Sequence, residues 1–287
     1  MRQHRYPVRA LSTCATALLV LPAFSLSSPA QQEGNEQTRV ALQRIVAGEH
    51  RSEANKKRDV YRHPVETLTW FGIRDDMTVV EIWPGGGWYT EILAPFLKEK
   101  GKYYAAVFDS ESDVPRIRQG VQRFKDKLAA NPDLYGAVTV TELAPPKKLD
   151  IAPEGSADMV LTFRNVHNWM SNGYAEEVFK AMYRALKPGG ILGVVEHRGD
   201  PAVPQDPKAA SGYVTEAHVI ELAEGAGFAF VDRSDINANP KDTKDYPQGV
   251  WTLPPTLRLG DVDRDKYLAI GESDRMTLKF RKPATSP

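Results

Sequence analysis

The run Thr78-Val79-Val80-Glu81-Ile82-Trp83 stops at Pro84-Gly85-Gly86-Gly87, and apolar residues then recur at helical spacing through Ile92, Leu93, Phe96 and Leu97. This predicts a strand over Thr78 to Trp83, a glycine turn, and a helix from Trp88 to about Leu97. Glycines at such a turn tolerate positive φ and let the backbone approach a ligand closely. A strand that enters a helix through a tight turn is the opening of a βαβ unit, whose strands run parallel with helices on the sheet faces.

The alternation continues along the chain. A strand over Tyr103 to Phe108 precedes a helix signalled by Asp113 and Pro115 at its start and by Ile117, Val121, Phe124 and Leu128 on one face. Two strands are expected at Val138 to Leu143 and Asp158 to Phe163, then a helix Tyr174 to Leu186 with Pro188-Gly189-Gly190 as its stop and a strand Ile191 to Val195. Thr215 can cap a further helix closed by Gly225 and Gly227, before a strand Phe228 to Asp232. Met276, Leu278 and Phe280 alternate with Thr277, Lys279 and Arg281, which predicts a half-buried terminal strand. Together these elements predict an α/β fold, a Rossmann-like, doubly wound, mainly parallel sheet with an antiparallel C-terminal strand. Upstream, Val40 to Arg58 is charged and helix-compatible, and Pro64 can open a second short helix; both are expected to cap the sheet. The stretch 237–273, with Pro240, Pro247, Pro254 and Pro255, is long for an irregular connection, so it is either a lid or a packed surface excursion.

The first thirty residues carry Arg2, Arg5 and Arg9 without an acid, then the apolar run Ala15 to Leu26 and Ser28-Pro29-Ala30. This is the pattern of a signal peptide, with cleavage expected near Ala30 and a periplasmic or secreted mature protein. The apolar run is too short for a permanent membrane anchor and contains Pro22. The remaining 257 residues hold 34 basic and 37 acidic side chains, so the balance creates no field for nucleic acid. Cys14 is the only cysteine and falls in the leader, which excludes a disulfide, a thiolate metal site and cysteine catalysis in the mature chain. The expected division is therefore a leader over 1–30, a polar helical segment over 31–57, and one α/β domain over 58–287.

Ligands of open α/β sheets lie beyond the carboxyl ends of the strands. At those ends stand Glu81 with Gly85, Gly86 and Gly87; Asp109; Glu142, with Asp150 as its rival; Arg164-Asn165-Val166-His167; and Glu196-His197-Arg198. Asp109 can accept both hydroxyls of a ribose, or it can cap the following helix. His167, His197 and Glu196 are expected to share one rim with Arg164 and Arg198, where either imidazole can remove a proton and either guanidinium can hold an acidic substrate. Either histidine can instead bond a loop carbonyl, and Trp88 and Trp169 can be packing residues. His167, His197 and Glu196 form a chemically permissible metal set, but without tight ligand spacing on one helix no metal is expected.

Glu81 to Gly87, with Asp109, Asp158 to Asn165 and Leu186 to Glu196, resembles the class I S-adenosylmethionine-dependent methyltransferase family over roughly residues 58–235. Arg58-Asp59, Arg62-His63-Pro64, the loop Pro84 to Thr90 and the segment Asp274 to Phe280 further resemble exported bacterial proteins described only as predicted methyltransferases. The resemblance implies S-adenosylmethionine as cofactor, bound by Glu81, Gly85, Gly86, Gly87, Asp109, Glu142 and Asn165, and a small-molecule acceptor served by the catalytic candidates His167, His197 and Arg164. Trp83 departs from the family, which usually has a third glycine there, and its indole either points away from the cofactor or blocks part of its site. The alternative is an exported binding or accessory protein that keeps the fold without transfer. A nicotinamide-dependent oxidoreductase is disfavoured because the glycine turn lacks the G-x-G-x-x-G spacing.

Overall fold

The computed structural model describes residues 29–284. The expected leader, Cys14 included, lies outside the described residues except for Pro29 and Ala30, which begin the helix Pro29–Val46. Seven strands form one sheet: β1 Thr78–Ile82, β2 Lys102–Val107, β3 Val138–Glu142, β4 Ala157–Phe163, β5 Leu186–His197, β6 Ala229–Ser234 and β7 Arg275–Arg281. Their order is β3-β2-β1-β4-β5-β7-β6. The first five run parallel, and β7 is antiparallel to both β5 and β6. The expected Rossmann-like α/β architecture, with its antiparallel C-terminal strand, is what the chain adopts.

Each face of the sheet carries its own core. Val80, Ile82, Val160, Leu192 and Leu278 pack against Trp169, Phe179 and Met182 on one side. Val79, Ala105, Met159 and Leu161 meet Leu68, Phe71, Ile92 and Leu93 on the other. A buried Leu or Phe contributes roughly 1.5–3 kcal/mol through the hydrophobic effect, so side chains from both helical layers hold β1 and β4 in place under the site.

Several local expectations differ from the structure. The terminal strand is not half-buried: β7 lies between β5 and β6, so even Thr277 is buried and the polar face of the alternation is covered. Pro188-Gly189-Gly190 does not end the preceding helix, which closes at Ala185; these residues lie within β5, where Gly189 takes φ 82°. The helix expected over Val40 to Arg58 ends at Val46. Beyond it Arg51 donates to both oxygens of Asp59 at 2.7 and 2.9 Å, and two short helices, Glu53–Lys56 and Asp59–Arg62, follow. His63 (φ 38°) separates Arg62 from the helix Pro64–Phe71, because a residue before proline avoids the helical region.

The stretch 237–273 is a packed excursion. Asn237 donates to Thr67 and Thr277 at 3.0 and 2.9 Å, Asn239 donates to the carbonyls of Ile270 and Glu272, and Asp242 accepts from the Tyr213 hydroxyl at 2.9 Å. It contains a 3-10 turn, Gly249–Thr252, and a helix, Arg264–Ile270, and it lays Val250, Trp251 and Pro254 over the carboxyl edge of the sheet.

Candidate active site

Two pockets flank the glycine turn at that edge. One, of about 440 Å³, is walled by the turn, Trp88, Tyr89, Arg164, His167, His197 and Trp251, with Arg58, Arg62 and Arg275 on a further wall. The second, of about 690 Å³, lies between the turn and the helix Pro115–Ala130 and is largely apolar, with Val107, Phe108, Ile117, Val121 and Phe124 around it. Trp83, Pro84, Gly85, Gly86, Phe108 and Asn168 line both.

The turn itself is open. A Cβ placed on Gly85 or Gly86 would meet nothing within 4 Å, and Gly85 holds φ 59°. Gly87 differs, because a Cβ there would come within 3.3 Å of Phe124; it packs the turn onto the helix. Glu81 closes the floor, buried, accepting from the Tyr103 and Thr90 hydroxyls. Burial pushes its carboxyl up to about 7, against the opposing pull of those two bonds.

The ends of β4 and β5 place both histidines at the opposite wall. Glu196 is fully buried and accepts from the backbone N–H groups of Val166 (2.6 Å), His167 (3.3 Å) and His197 (2.7 Å). Its Oε1 also lies 3.0 Å from His167 Nδ1. His167 is thus held with Nδ1 toward a carboxylate and Nε2 as its free ring nitrogen, the arrangement that fixes a basic imidazole in one tautomer. His197 Nδ1 pairs with Ser273 Oγ at 2.5 Å, and the two imidazole centroids are 5.3 Å apart. Burial, then the neighbouring His167, push the His197 pKa well down, so this ring stays neutral. Candidate ligand atoms of His167, Glu196 and His197 lie within 4.8 Å of one another. A cation there would have to displace donors from a carboxylate that already accepts four hydrogen bonds, so the cluster reads as a hydrogen-bonded pair with a second histidine beside it.

Arg164 takes φ 62° and its backbone N–H donates to Val195 at 2.7 Å. Among the described residues its guanidinium has neither an ion pair nor a hydrogen bond, and burial followed by Arg275 pushes its pKa down to about 10. Arg198 is separated from this site: it is engaged by Asp235 at 2.7 Å, with Asp274 and Glu216 close by. Asp274 and Arg275 do not pair with each other, since Asp274 meets Lys244 and Arg198 while Arg275 meets Glu272. Asn165 lines the pocket, but its amide donates to Ile82 O (3.0 Å) and Thr162 Oγ1 (3.2 Å), so it ties β4 to β1.

The structure does not bring the remaining acids to the pocket. Asp109 and Glu142 share Lys148, whose ammonium lies 2.7 Å from the first and 2.5 Å from the second. The Lys148 hydrogen bond holds the Asp109 carboxyl below its ordinary value, and burial of Glu142 is outweighed by Lys148 and Ser110 with the same result. Asp150, the rival, is 99% exposed and borders a separate cleft of about 540 Å³. Trp83 explains what covers the strand ends instead. Its backbone takes φ 46°, a left-handed conformation more natural to glycine. The indole stacks on Phe108 (4.1 Å, 23°), meets Trp169 edge-on, and donates Nε1–H to the Leu143 carbonyl at 2.9 Å. It lies across the ends of β2 and β3.

Arg58, Arg62, Arg275, Glu272 and Trp251 complete the site and were not singled out by spacing alone. The signal available was the pair Arg58 and Arg62, four residues apart, in a segment that carries the same resemblance as the glycine loop.

No family model matches the chain, and no curated protein matches it in sequence. Solved structures do. A SAM-dependent methyltransferase from Aquifex aeolicus superposes with a TM-score of 0.53 at 16% identity, covering 85% of this chain and 98% of that one. The [4+2]-cyclase SpnF gives 0.53 at 18% identity, covering 89% and 96%. The chain therefore shares the Rossmann-like fold of these two structures, the first of which is named for its dependence on S-adenosylmethionine. The residues present fit such a group at the open glycine turn, where Gly85 and Gly86 leave room, and beside the apolar 690 Å³ pocket. They do not fit it through Asp109 and Glu142, which Lys148 holds outside both pockets.

Proposed function

We propose that the protein is an S-adenosylmethionine-dependent methyltransferase acting on a small-molecule acceptor in the 440 Å³ pocket. The observation that carries this reading is the placement of an open glycine turn opposite a histidine oriented by a buried carboxylate, both at the carboxyl edge of a sheet ordered β3-β2-β1-β4-β5-β7-β6. The cofactor would be held at Gly85 and Gly86 above Glu81, and when bound it supplies an electrophilic methyl group. The chain's own part is to align the acceptor and exclude water, which is most of what methyl transfer requires. Trp251 and Tyr89 wall the pocket, and His167 Nε2 takes the proton from the acceptor hydroxyl or amine while Glu196 steadies the resulting imidazolium. Formation of S-adenosylhomocysteine from S-adenosylmethionine, followed by mass spectrometry across small hydroxylated and aminated acceptors, tests the proposal. No turnover together with no cofactor binding at millimolar concentration would remove it.

A second reading is supported by the stacked indole of Trp83 and the engaged Asp109 and Glu142: a binding or accessory protein that keeps the fold without transfer. Cofactor affinity that stays absent even in Trp83→Gly favours it. The signal-peptide pattern of residues 1–30 supports a periplasmic or secreted site of action, and amino-terminal sequencing of exported protein, with a start near Gln31, tests that placement.

A further inference from the structure

Four guanidiniums converge on one wall of the 440 Å³ pocket, those of Arg58, Arg62, Arg164 and Arg275. One carboxylate, Glu272, serves them. It accepts from Arg58 Nε at 2.5 Å and from Arg275 Nη2, and it lies 3.7 Å from Arg62 Nε. Burial works against its charge, but Arg275, Arg58 and Arg62 together hold its carboxyl down at about 2. Arg62 and Arg275 are 3% and 2% exposed, yet Arg62 Nε and Nη2, Arg275 Nε and Arg58 Nη2 are buried without a hydrogen-bond partner. Arg164 has none for its guanidinium among the described residues. Trp88 covers Arg62 with a face 4.5 Å away, which offsets part of one charge only. The other nearby acid, Glu81, is bonded to Tyr103 and Thr90 and to none of the four.

Buried cations without partners are costly, and with the partly exposed Arg58 and Arg164 beside the buried Arg62 and Arg275 this wall keeps about three positive charges that an anionic ligand would offset. We propose that this wall is an oxyanion subsite for a dianionic phosphoryl group, so that the pocket takes a small phosphate monoester. A single carboxylate would leave about two charges unbalanced, whereas a phosphate offers three terminal oxygens and two charges to planar guanidinium donors. That the phosphate ester is the methyl acceptor rests on the reading above; the subsite itself does not.

The test uses inorganic phosphate on the purified full chain, followed by calorimetry and thermal melting against sodium chloride at matched ionic strength, with acetate and malonate as further arms. Phosphate is expected to bind at least about tenfold tighter than acetate, and Arg164→Gln to weaken it at least about tenfold, the range of a lost charge-assisted bond pair. Arg164 holds no other group in place, so Arg164→Gln should fold, and without phosphate it should melt no lower than the parent because a like charge has gone. A phosphate effect no larger than that of chloride, one that survives in Arg164→Gln, or malonate binding tighter than phosphate would each overturn the proposal. Phosphate binding without S-adenosylmethionine binding would keep the subsite and remove methyl transfer; the opposite pattern would do the reverse.

Discussion

Replacing Trp83 by glycine should tighten cofactor binding while lowering stability. The indole must leave Phe108 and Leu143 for a base to lie over the ends of β2 and β3, so its own contacts oppose binding. An offset aromatic pair contributes about 1 kcal/mol beyond area and a hydrogen bond about another, which together amount to a factor of roughly 30 in affinity. Stability moves the other way. Truncating a fully buried tryptophan costs about 3–5 kcal/mol, but this one is half-buried, and glycine relieves roughly 1 kcal/mol of left-handed strain at φ 46°, leaving a net loss of about 1–3 kcal/mol. Titration calorimetry with S-adenosylmethionine, alongside urea unfolding, reads both quantities. Unchanged or weaker cofactor binding in Trp83→Gly would refute the reasoning, since the indole would then be a platform for the base and not its competitor.

Glu196→Ala should destabilise the fold by about 3 kcal/mol or more, because it strips a buried acceptor from three backbone N–H groups and one imidazole; urea unfolding measures the loss, and nitrogen-15 spectra should show the His167 ring no longer fixed as the Nδ1–H tautomer. The Glu81 carboxyl is raised from 4.5 to about 7, so its contribution to stability is fully present below pH 4.5 and is lost as the pH rises to about 7. Glu81→Gln should therefore match the parent near pH 4.5 and exceed it by up to about 3 kcal/mol at pH 8, a gap that denaturation at the two pH values checks. Asp109→Asn should leave cofactor affinity within about threefold, because that carboxylate is engaged by the partly exposed Lys148 outside both pockets; a large loss by calorimetry would contradict this placement.

The alternation of strands and helices was legible because its signals are local. Apolar runs at Thr78, Tyr103 and Asp158, with glycine and proline punctuation between them, give the succession of strands and helices along the chain almost unaided. What failed was long-range. Pairing with β5 on one side and β6 on the other buries Thr277, and no alternation inside the strand can announce two neighbours. In the site, the histidines and Arg164 were found because they follow strands directly. Arg58, Arg62 and Arg275 were not, since two precede β1 and the third opens β7, and only the closed fold unites them. Lys148 was equally silent: it lies six residues beyond Glu142, and the antiparallel bridge between Ala144 and Lys148 is what turns it back onto both acids.

The claim on which the account turns is that the glycine turn holds S-adenosylmethionine facing His167. Crystals of the protein grown with S-adenosylhomocysteine test it directly. Density for the ligand is expected along Gly85 and Gly86, with the indole of Trp83 lifted from Phe108. A turn left empty at saturating ligand, with that indole still bonded to the Leu143 carbonyl, would contradict it.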